Sequence, residues 1–267
     1  MSIDYFVFGD CMEKKTSLFY KFLKALVKLF YGKKETVGWE KMPEEPSIIV
    51  GNHSQLNGPL AGELYLPGKR YIWCAREMMH IKEVPAYAYR DFWEEKPKIF
   101  RPFFKLASYL IAPISVVVFN NAHTIAVNRG LKIIATYKET VEKLEEGYNI
   151  VIFPEHAVEH NNIVYEFQRN FIDSAKYYYK KTGKEVNFVP LYIAPKLKKM
   201  YVGDAIKFDS SNDIEEEKTR ICNHLMDEIT NIARNLPEHT VIPYKNLPKK
   251  LYKKNTETEG KYEETGC

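Results

Sequence analysis

Apolar residues are distributed along the chain in two distinct patterns. Spacings of three and four between apolar residues predict helices, and short unbroken apolar runs are typical of strands buried on both faces of a sheet. The predicted helices span residues 16–31, 58–66, 77–93, 131–146, 170–182 and 214–236. The predicted strands span residues 47–50, 124–127, 148–153 and 187–193, with a further short strand within 201–208.

The alternation of these elements predicts an α/β fold with a layered, mostly parallel central sheet flanked by helices. We expect an N-terminal amphipathic helical segment at 1–44, an α/β domain at 45–247 and a disordered charged tail at 248–267. The apolar stretch 106–119 is interrupted by Pro113. It predicts two short buried or interfacial segments rather than a membrane-spanning helix.

Charge changes this picture at the N-terminal helix and in a later insertion. With 39 basic and 35 acidic residues, the chain is too mildly basic to indicate a nucleic-acid-binding protein. Lysines oppose bulky apolar residues on the N-terminal helix, and aromatic and basic residues mix between positions 87 and 109. Both patterns are typical of a membrane interface, and packing on the core is the alternative. Because no signal-peptide pattern is present, we expect a peripheral protein on the cytoplasmic face of a membrane.

Polar or ionisable residues directly follow three predicted strands. Asn52 and His53 follow the first strand, Arg129 comes shortly after the second, and Glu155 and His156 come shortly after the third. In a parallel sheet the carboxyl ends of the strands meet at one edge. We therefore expect these side chains to converge on a single site.

These segments resemble the four ordered blocks of the glycerol-phosphate and lysophospholipid acyltransferases. That family carries Asn-His-x4-Asp, then Arg with a small residue after a strand, then Phe-Pro-Glu-Gly, and finally an apolar strand containing Val-Pro. The corresponding segments of this chain are Asn52-His53, Val127-Asn128-Arg129-Gly130, Phe153-Pro154-Glu155 and Val189-Pro190-Leu191. The resemblance spans about residues 45–210.

The resemblance implies transfer of a fatty acyl group from acyl-CoA or acyl carrier protein to a hydroxyl of a glycerophospholipid precursor or related acceptor. His53 would be the general base. The expected substrate-binding residues are Asn52, Asn57, Arg129, Glu155 and His156. The implied partners are the acyl thioester, the lipid acceptor and the membrane surface, with no metal or cofactor, and the oligomeric state stays open.

Two positions depart from the family pattern. Gly58 stands where the family has the Asp that orients the histidine, and His156 stands where it has Gly. Asn57 could accept a hydrogen bond instead, and Glu63 or Glu77 could supply a carboxylate from elsewhere. The alternative hypothesis is a non-catalytic lipid-binding member of the same fold.

A third hypothesis comes from His156, Glu159 and His160, which match the H-x-x-E-H pattern of zinc hydrolases. Two histidines four residues apart on a helix share one face and can bind a metal. Pro154 before the motif and two asparagines after it make a helix unfavourable here, so we rank this hypothesis last.

Overall fold

The computed structural model describes residues 17–94, 96–158, 161–245 and 247–258. The α-helices are α1 (Leu18–Tyr31), α2 (Asn57–Tyr65), α3 (Val84–Ala88), α4 (Arg101–Asn121), α5 (Ile133–Glu145), α6 (Asp173–Thr182) and α7 (Ile214–Asn235). The strands are β1 (Glu35–Val37), β2 (Ile48–Gly51), β3 (Arg70–Ala75), β4 (Thr124–Val127), β5 (Asn149–Ile152), β6 (Asn187–Ala194), β7 (Lys199–Val202) and β8 (Ile206–Lys207).

All of these strands belong to one sheet, in the order β1-β7-β6-β2-β5-β3-β4, with β8 paired to β6. The five strands from β6 to β4 run parallel, whereas β7 and β8 pair with β6 antiparallel. Helices cover both faces. The prediction of a layered, mostly parallel α/β fold is therefore confirmed.

β2 is the centre of the sheet and is buried throughout. Ile48 and Val50 pack into the core under α5, α6 and α7, and Ile49 packs into the core on the opposite face, beside Ala61 of α2. Burial on both faces explains why this strand has an unbroken apolar run instead of alternating residues.

The sequence prediction missed β1 and β3. Ile72 is the buried residue of β3, so the strand lacks the apolar run that marks its neighbours. The predicted helix at 77–93 is also wrong in detail. The structure has a short 3₁₀ turn (Arg76–Met79), then α3 with Pro85 in its first turn, then a π-helical turn (Tyr89–Trp93). Proline is accommodated at a helix start because its missing N–H has no partner there.

The stretch around Pro113 differs from the prediction as well. α4 continues through Pro113 as one helix, and its buried residues are the small ones, Ser108, Ala112 and Ser115. The stretch Lys98–Asn121 is long and apolar enough to cross a membrane by length and composition, and 17% of its most apolar window is buried. We expected two short, buried or interfacial segments, but the helix begins at Arg101, before the apolar stretch starts at Leu106, and is continuous.

The expected disorder of the tail is wrong for residues 248–258. Residues 237–245 and 247–258, here called the C-terminal strap, contact the loop that follows β2, and Thr240 and Lys254 form an isolated β-bridge. The buried amide of Asn255 donates to the carbonyl of Ala233 at 2.8 Å, at the end of α7. The polar composition of the tail hides this helix-capping function. The predicted segments at 1–16 and 259–267 lie outside the described residues.

Candidate active site

The loop that carries His53 is anchored by the amide of Asn52. The Asn52 Oδ1 accepts the Ile193 N–H at 2.7 Å, and its Nδ2 donates to the Ile193 carbonyl at 3.1 Å and to Ser54 Oγ at 2.9 Å. This buried side chain ties the carboxyl end of β2 to β6. The structure therefore gives Asn52 a scaffolding function, and its predicted contact with substrate stays a prediction.

His53 lies at the carboxyl edge of the sheet in a tightly defined environment. Its Nδ1 is 2.5 Å from the carbonyl oxygen of Gln55, and its ring stacks on Tyr244 at a centroid distance of 4.0 Å. Phe153 contacts the ring edge-on at 5.8 Å. Because a carbonyl only accepts, this contact favours the tautomer with the proton on Nδ1 and the lone pair on Nε2. Burial lowers the pKa of His53, and the negative charge of Glu155 opposes that shift.

The loop after His53 is held in a rare backbone conformation. Ser54 and Gln55 have φ angles of 44° and 58°, in the left-handed region, where a residue with a side chain costs about 1–2 kcal/mol. The carbonyl of Ser54 accepts from the side chain of Asn57 at 3.0 Å, and Ser54 Oγ donates to the carbonyl of Ile242 at 3.1 Å. The amide of Gln55 donates to the hydroxyl of Tyr252 at 2.7 Å. The strap thus stabilises the strained loop.

Gly58 leaves no room for the aspartate of the family pattern. A Cβ at this position would come within 2.6 Å of the His53 carbonyl oxygen and 2.9 Å of the Asn52 carbonyl oxygen. The Gly58 N–H itself donates to the His53 carbonyl at 2.9 Å. The backbone has therefore closed into the space beside His53 that a side chain would need.

The proposed substitutes for that aspartate are engaged elsewhere. Glu63 Oε1 accepts from the hydroxyl of Tyr20 at 2.7 Å and also pairs with Lys24. Glu77 Oε1 lies 3.6 Å from the guanidinium of Arg129. The Asn57 side chain donates to the loop as described above. The atom that orients His53 is a backbone carbonyl, which neither motif matching nor residue counting can reveal.

Glu155 is brought to His53, as the strand-end argument predicted. Its side chain is buried, with Oε1 accepting the His53 N–H at 2.5 Å and Oε2 accepting the Tyr165 N–H at 3.1 Å. The carboxylate thereby joins the loop after β5 to the loop after β2. If Glu155 affects binding of the acceptor, it does so by fixing the position of His53. The neighbouring His156 donates its own N–H to the carbonyl of Glu166 at 3.1 Å.

Arg129 lies at the same sheet edge but beyond β3. Its side chain is 70% exposed, and its partner Glu77 keeps a buried Oε2 without a hydrogen-bond partner among the described residues. Burial raises the pKa of nearby Tyr87 to about 12, with Asp91 and Glu77 adding to the rise and Arg129 opposing it. Arg129 therefore belongs to a charged group around α3.

Residues of the metal hypothesis are only partly described. Glu159 and His160 lie outside the described residues, and the backbone from Pro154 to Val158 is not helical. Within the described ranges, no group of three His, Cys, Asp or Glu side chains could hold a metal ion. The helical geometry that the zinc motif requires is therefore missing from its first three residues.

Sequence reasoning missed the contribution of the strap. Tyr244, Ile242 and Tyr252 meet the His53 loop across about 190 positions of sequence, with 188 separating Ser54 from Ile242 and 197 separating Gln55 from Tyr252. They follow no recognisable strand end and carry no motif. A tyrosine stacked on a histidine leaves no trace in periodicity or spacing, so no sequence signal could have found these residues.

Comparisons with known proteins add a distant likeness. No protein-family model and no curated protein matches the chain. Among solved structures, the crystal structure of the 1-acyl-sn-glycerophosphate (LPA) acyltransferase PlsC from Thermotoga maritima gives a TM-score of 0.42 at 16% sequence identity. The alignment covers 80% of this chain and 79% of that chain. At this level of similarity, a functional argument has to rest on the residues and their geometry.

Proposed function

We propose that the protein is an acyltransferase that works at the cytoplasmic face of a membrane. It moves a fatty acyl group from acyl-CoA or acyl carrier protein to a hydroxyl of a glycerophospholipid precursor or related acceptor, with His53 as general base. The observation that carries the proposal is the contact between His53 Nδ1 and the Gln55 carbonyl oxygen. This contact favours a proton on Nδ1, which leaves Nε2 available to take a proton.

The surroundings of His53 suit this function. Burial lowers the pKa of His53 and so favours the neutral imidazole, which is the form that accepts a proton. Glu155, which favours the charged form, would stabilise the imidazolium once the proton has arrived. The position after a central parallel strand is where the active sites of open α/β sheets collect.

The reaction needs one proton to move twice. His53 Nε2 takes the proton of the acceptor hydroxyl as the oxygen attacks the thioester carbonyl carbon, and a tetrahedral intermediate forms. When the intermediate collapses, the carbon–sulfur bond breaks and the imidazolium returns the proton to the leaving thiolate. The products are an ester and a free thiol, and no acyl-enzyme is required.

Exposed apolar helices support a membrane location. α1 buries only Tyr20, and its large apolar residues face outward. In α4 the fully buried residues are small and several bulky residues are exposed, which is the reverse of a helix on a soluble core. The exposed bulky residues are Leu18, Phe19, Phe22, Leu26, Leu29 and Phe30 of α1 with Phe103, Leu106, Tyr109, Leu110 and Ile114 of α4.

The start of α1 lies beside the end of α4. The Ser17 N–H, which precedes α1, donates to the Asn121 side chain at the end of α4 at 2.8 Å. Many exposed bulky apolar residues on neighbouring helices suit an interaction site, and lysines on α1 suit contact with anionic lipid headgroups. A membrane location would bring the lipid acceptor and the acyl chain to the protein without their leaving the bilayer.

Arg129 is the proposed contact for an anionic group of the acceptor. Its exposed guanidinium offers the planar fork that phosphate oxygens prefer. The ion pair with Glu77 is long, at 3.6 Å, and the Arg129 side chain is exposed, so an incoming phosphate can compete with Glu77.

A non-catalytic lipid-binding protein is the second hypothesis. The observation that favours it is Tyr244, which covers one face of the His53 ring. If this hypothesis holds, replacing His53 changes lipid binding little, and no thioester is consumed.

Acyl transfer to a membrane lipid extract tests the proposal. The purified chain is incubated with a panel of acyl-CoAs or acyl carrier protein, and new lipid esters are identified by mass spectrometry. We expect ester formation that is lost in His53→Ala and retained in His80→Ala, a matched change at an exposed histidine. A folded protein that binds vesicles but forms no ester with any donor contradicts the proposal.

A further inference from the structure

The atom that contacts Nδ1 of His53 is not the carboxylate of the family pattern. Position 58 excludes the carboxylate that would orient a catalytic histidine, yet Nδ1 of His53 has a partner at 2.5 Å. That partner, the Gln55 carbonyl, reaches Nδ1 because Ser54 and Gln55 both adopt left-handed backbone conformations. Strained backbone at a site persists only where the surrounding contacts enforce it.

We propose that the Gln55 carbonyl performs the orienting function of the family's aspartate, and that the C-terminal strap holds this carbonyl in place through Tyr252 and Ile242. Gln55, Tyr252 and Ser54 are positioning residues, since they act through His53. The catalytic consequence rests on the proposed function, whereas the tautomer of His53 can be measured without any turnover.

The strap forms hydrogen bonds with both residues that have left-handed backbone conformations, Ser54 and Gln55. The Tyr252 hydroxyl accepts from the side chain of Gln55 at 2.7 Å, and the Ile242 carbonyl accepts from Ser54 Oγ at 3.1 Å. Asn52 supports Ser54 from the other side, with its Nδ2 2.9 Å from Ser54 Oγ. Without the strap, the loop could relax to the right-handed region, and the Gln55 carbonyl would turn away from Nδ1.

The strap is itself fixed to the domain. His239 Nδ1 pairs with the Pro237 carbonyl at 2.8 Å, and its Nε2 lies 2.7 Å from the hydroxyl of Tyr192 on β6. Asn255 Oδ1 accepts the His239 N–H at 2.9 Å. A strap anchored in the core at one end can transmit that rigidity to the loop that it covers.

A carbonyl and a carboxylate fix the same tautomer but differ in charge. Both accept from Nδ1–H and leave Nε2 as the base. The carbonyl is neutral, so it stabilises the imidazolium less than a carboxylate would. Burial lowers the pKa of His53, and the charge of Glu155 and the hydrogen bond with the Gln55 carbonyl oppose that shift. Orientation by a carbonyl would give a weaker base that stays neutral over a wider pH range.

The tautomer is tested by long-range ¹H–¹⁵N correlation NMR on the full chain, labelled at its seven histidines. His53 is assigned by the loss of its signal in His53→Gln. We expect wild-type His53 at pH 7.5 in the single neutral tautomer protonated at Nδ1. Protonation at Nε2, or an even mixture of tautomers, overturns the inference whatever the turnover. The expected signature in a protein without turnover refutes the proposed function alone.

The function of the strap is tested by Tyr252→Phe, with Tyr179→Phe on α6 as the matched control. We expect Tyr252→Phe to populate the second tautomer of His53 and to lower kcat about tenfold with little change in KM. The control should leave both unchanged. Gln55→Met removes the same hydrogen bond from the loop side and covers the case in which Tyr252→Phe does not fold. A folded Tyr252→Phe or Gln55→Met with wild-type NMR signals and kcat refutes the strap's function.

Discussion

Replacement of Glu155 by Gln tests the claim that this carboxylate holds the His53 loop. Its two oxygens accept the N–H groups of His53 at 2.5 Å and Tyr165 at 3.1 Å, in a buried position. A hydrogen bond to a charged group contributes about 1.5–3 kcal/mol, against about 1 kcal/mol for a neutral pair. In Glu155→Gln, the new side chain keeps one neutral bond and turns its NH₂ group toward the other N–H.

The expected loss follows from these contacts. One charged bond weakens by about 1 kcal/mol, and the other is replaced by a buried donor without an acceptor, which costs about 1–3 kcal/mol. We therefore expect Glu155→Gln to lower the free energy of unfolding by about 2–4 kcal/mol. It should also lower the pKa of His53 further, because the Glu155 charge raises it.

Urea denaturation followed by circular dichroism measures the loss, with wild type and variant fitted to a shared m-value. Glu166→Gln is the matched control, since its carboxylate lies 3.7 Å from Arg169 and is partly exposed. The control should change the unfolding free energy by less than about 0.5 kcal/mol. Equal midpoints for Glu155→Gln and the control would refute the reasoning.

Three further predictions concern packing, titration and the membrane surface. Gly58→Ala brings a Cβ to 2.6 Å from the His53 carbonyl oxygen, so urea midpoints should report a loss of about 1–3 kcal/mol. Burial holds the folded pKa of His53 below 6.5, so the contribution of this residue to the free energy of unfolding is full above about pH 6.5. It falls as the pH drops toward the folded pKa, by up to about 1.4 kcal/mol per pH unit. His53→Gln should remove that pH dependence. Leu29 and Phe30 are 76% and 81% exposed. Replacing both by Glu should weaken binding to anionic vesicles by about 100-fold or more in co-sedimentation, since each buried side chain contributes about 1.5–3 kcal/mol.

The part of the fold that the sequence predicts is the part with strong periodicity. β2, β5 and β6 are buried on both faces, so their apolar runs stand out, and α7 carries a regular apolar stripe across its length. The sequence did not predict β3, because one buried residue among partly exposed ones gives neither a helical spacing nor an unbroken apolar run. Pro113 misled the prediction of α4, since a single proline does not end a helix whose other contacts favour it.

The site was predictable to the extent that strand ends define it. The position of His53 beside Glu155 follows from parallel strands ending at one edge, and Arg129 follows from the same argument, although β3 separates it from them. The orienting carbonyl of Gln55 was not predictable, because backbone atoms belong to every residue alike. The strap escaped prediction because polar tails usually stay disordered, and its contacts are too distant in sequence to leave a local signal.

The pH dependence of kcat/KM is the sharpest test of whether His53 is the general base of acyl transfer. We expect a rate that rises with pH and reaches a plateau, with a midpoint below the ordinary value of 6.5 because burial lowers the pKa of His53. His53→Ala should lose that rising limb together with the activity, while His80→Ala keeps both. A rate that shows no such limb, or the same limb in His53→Ala, would contradict the assignment of His53 as the base.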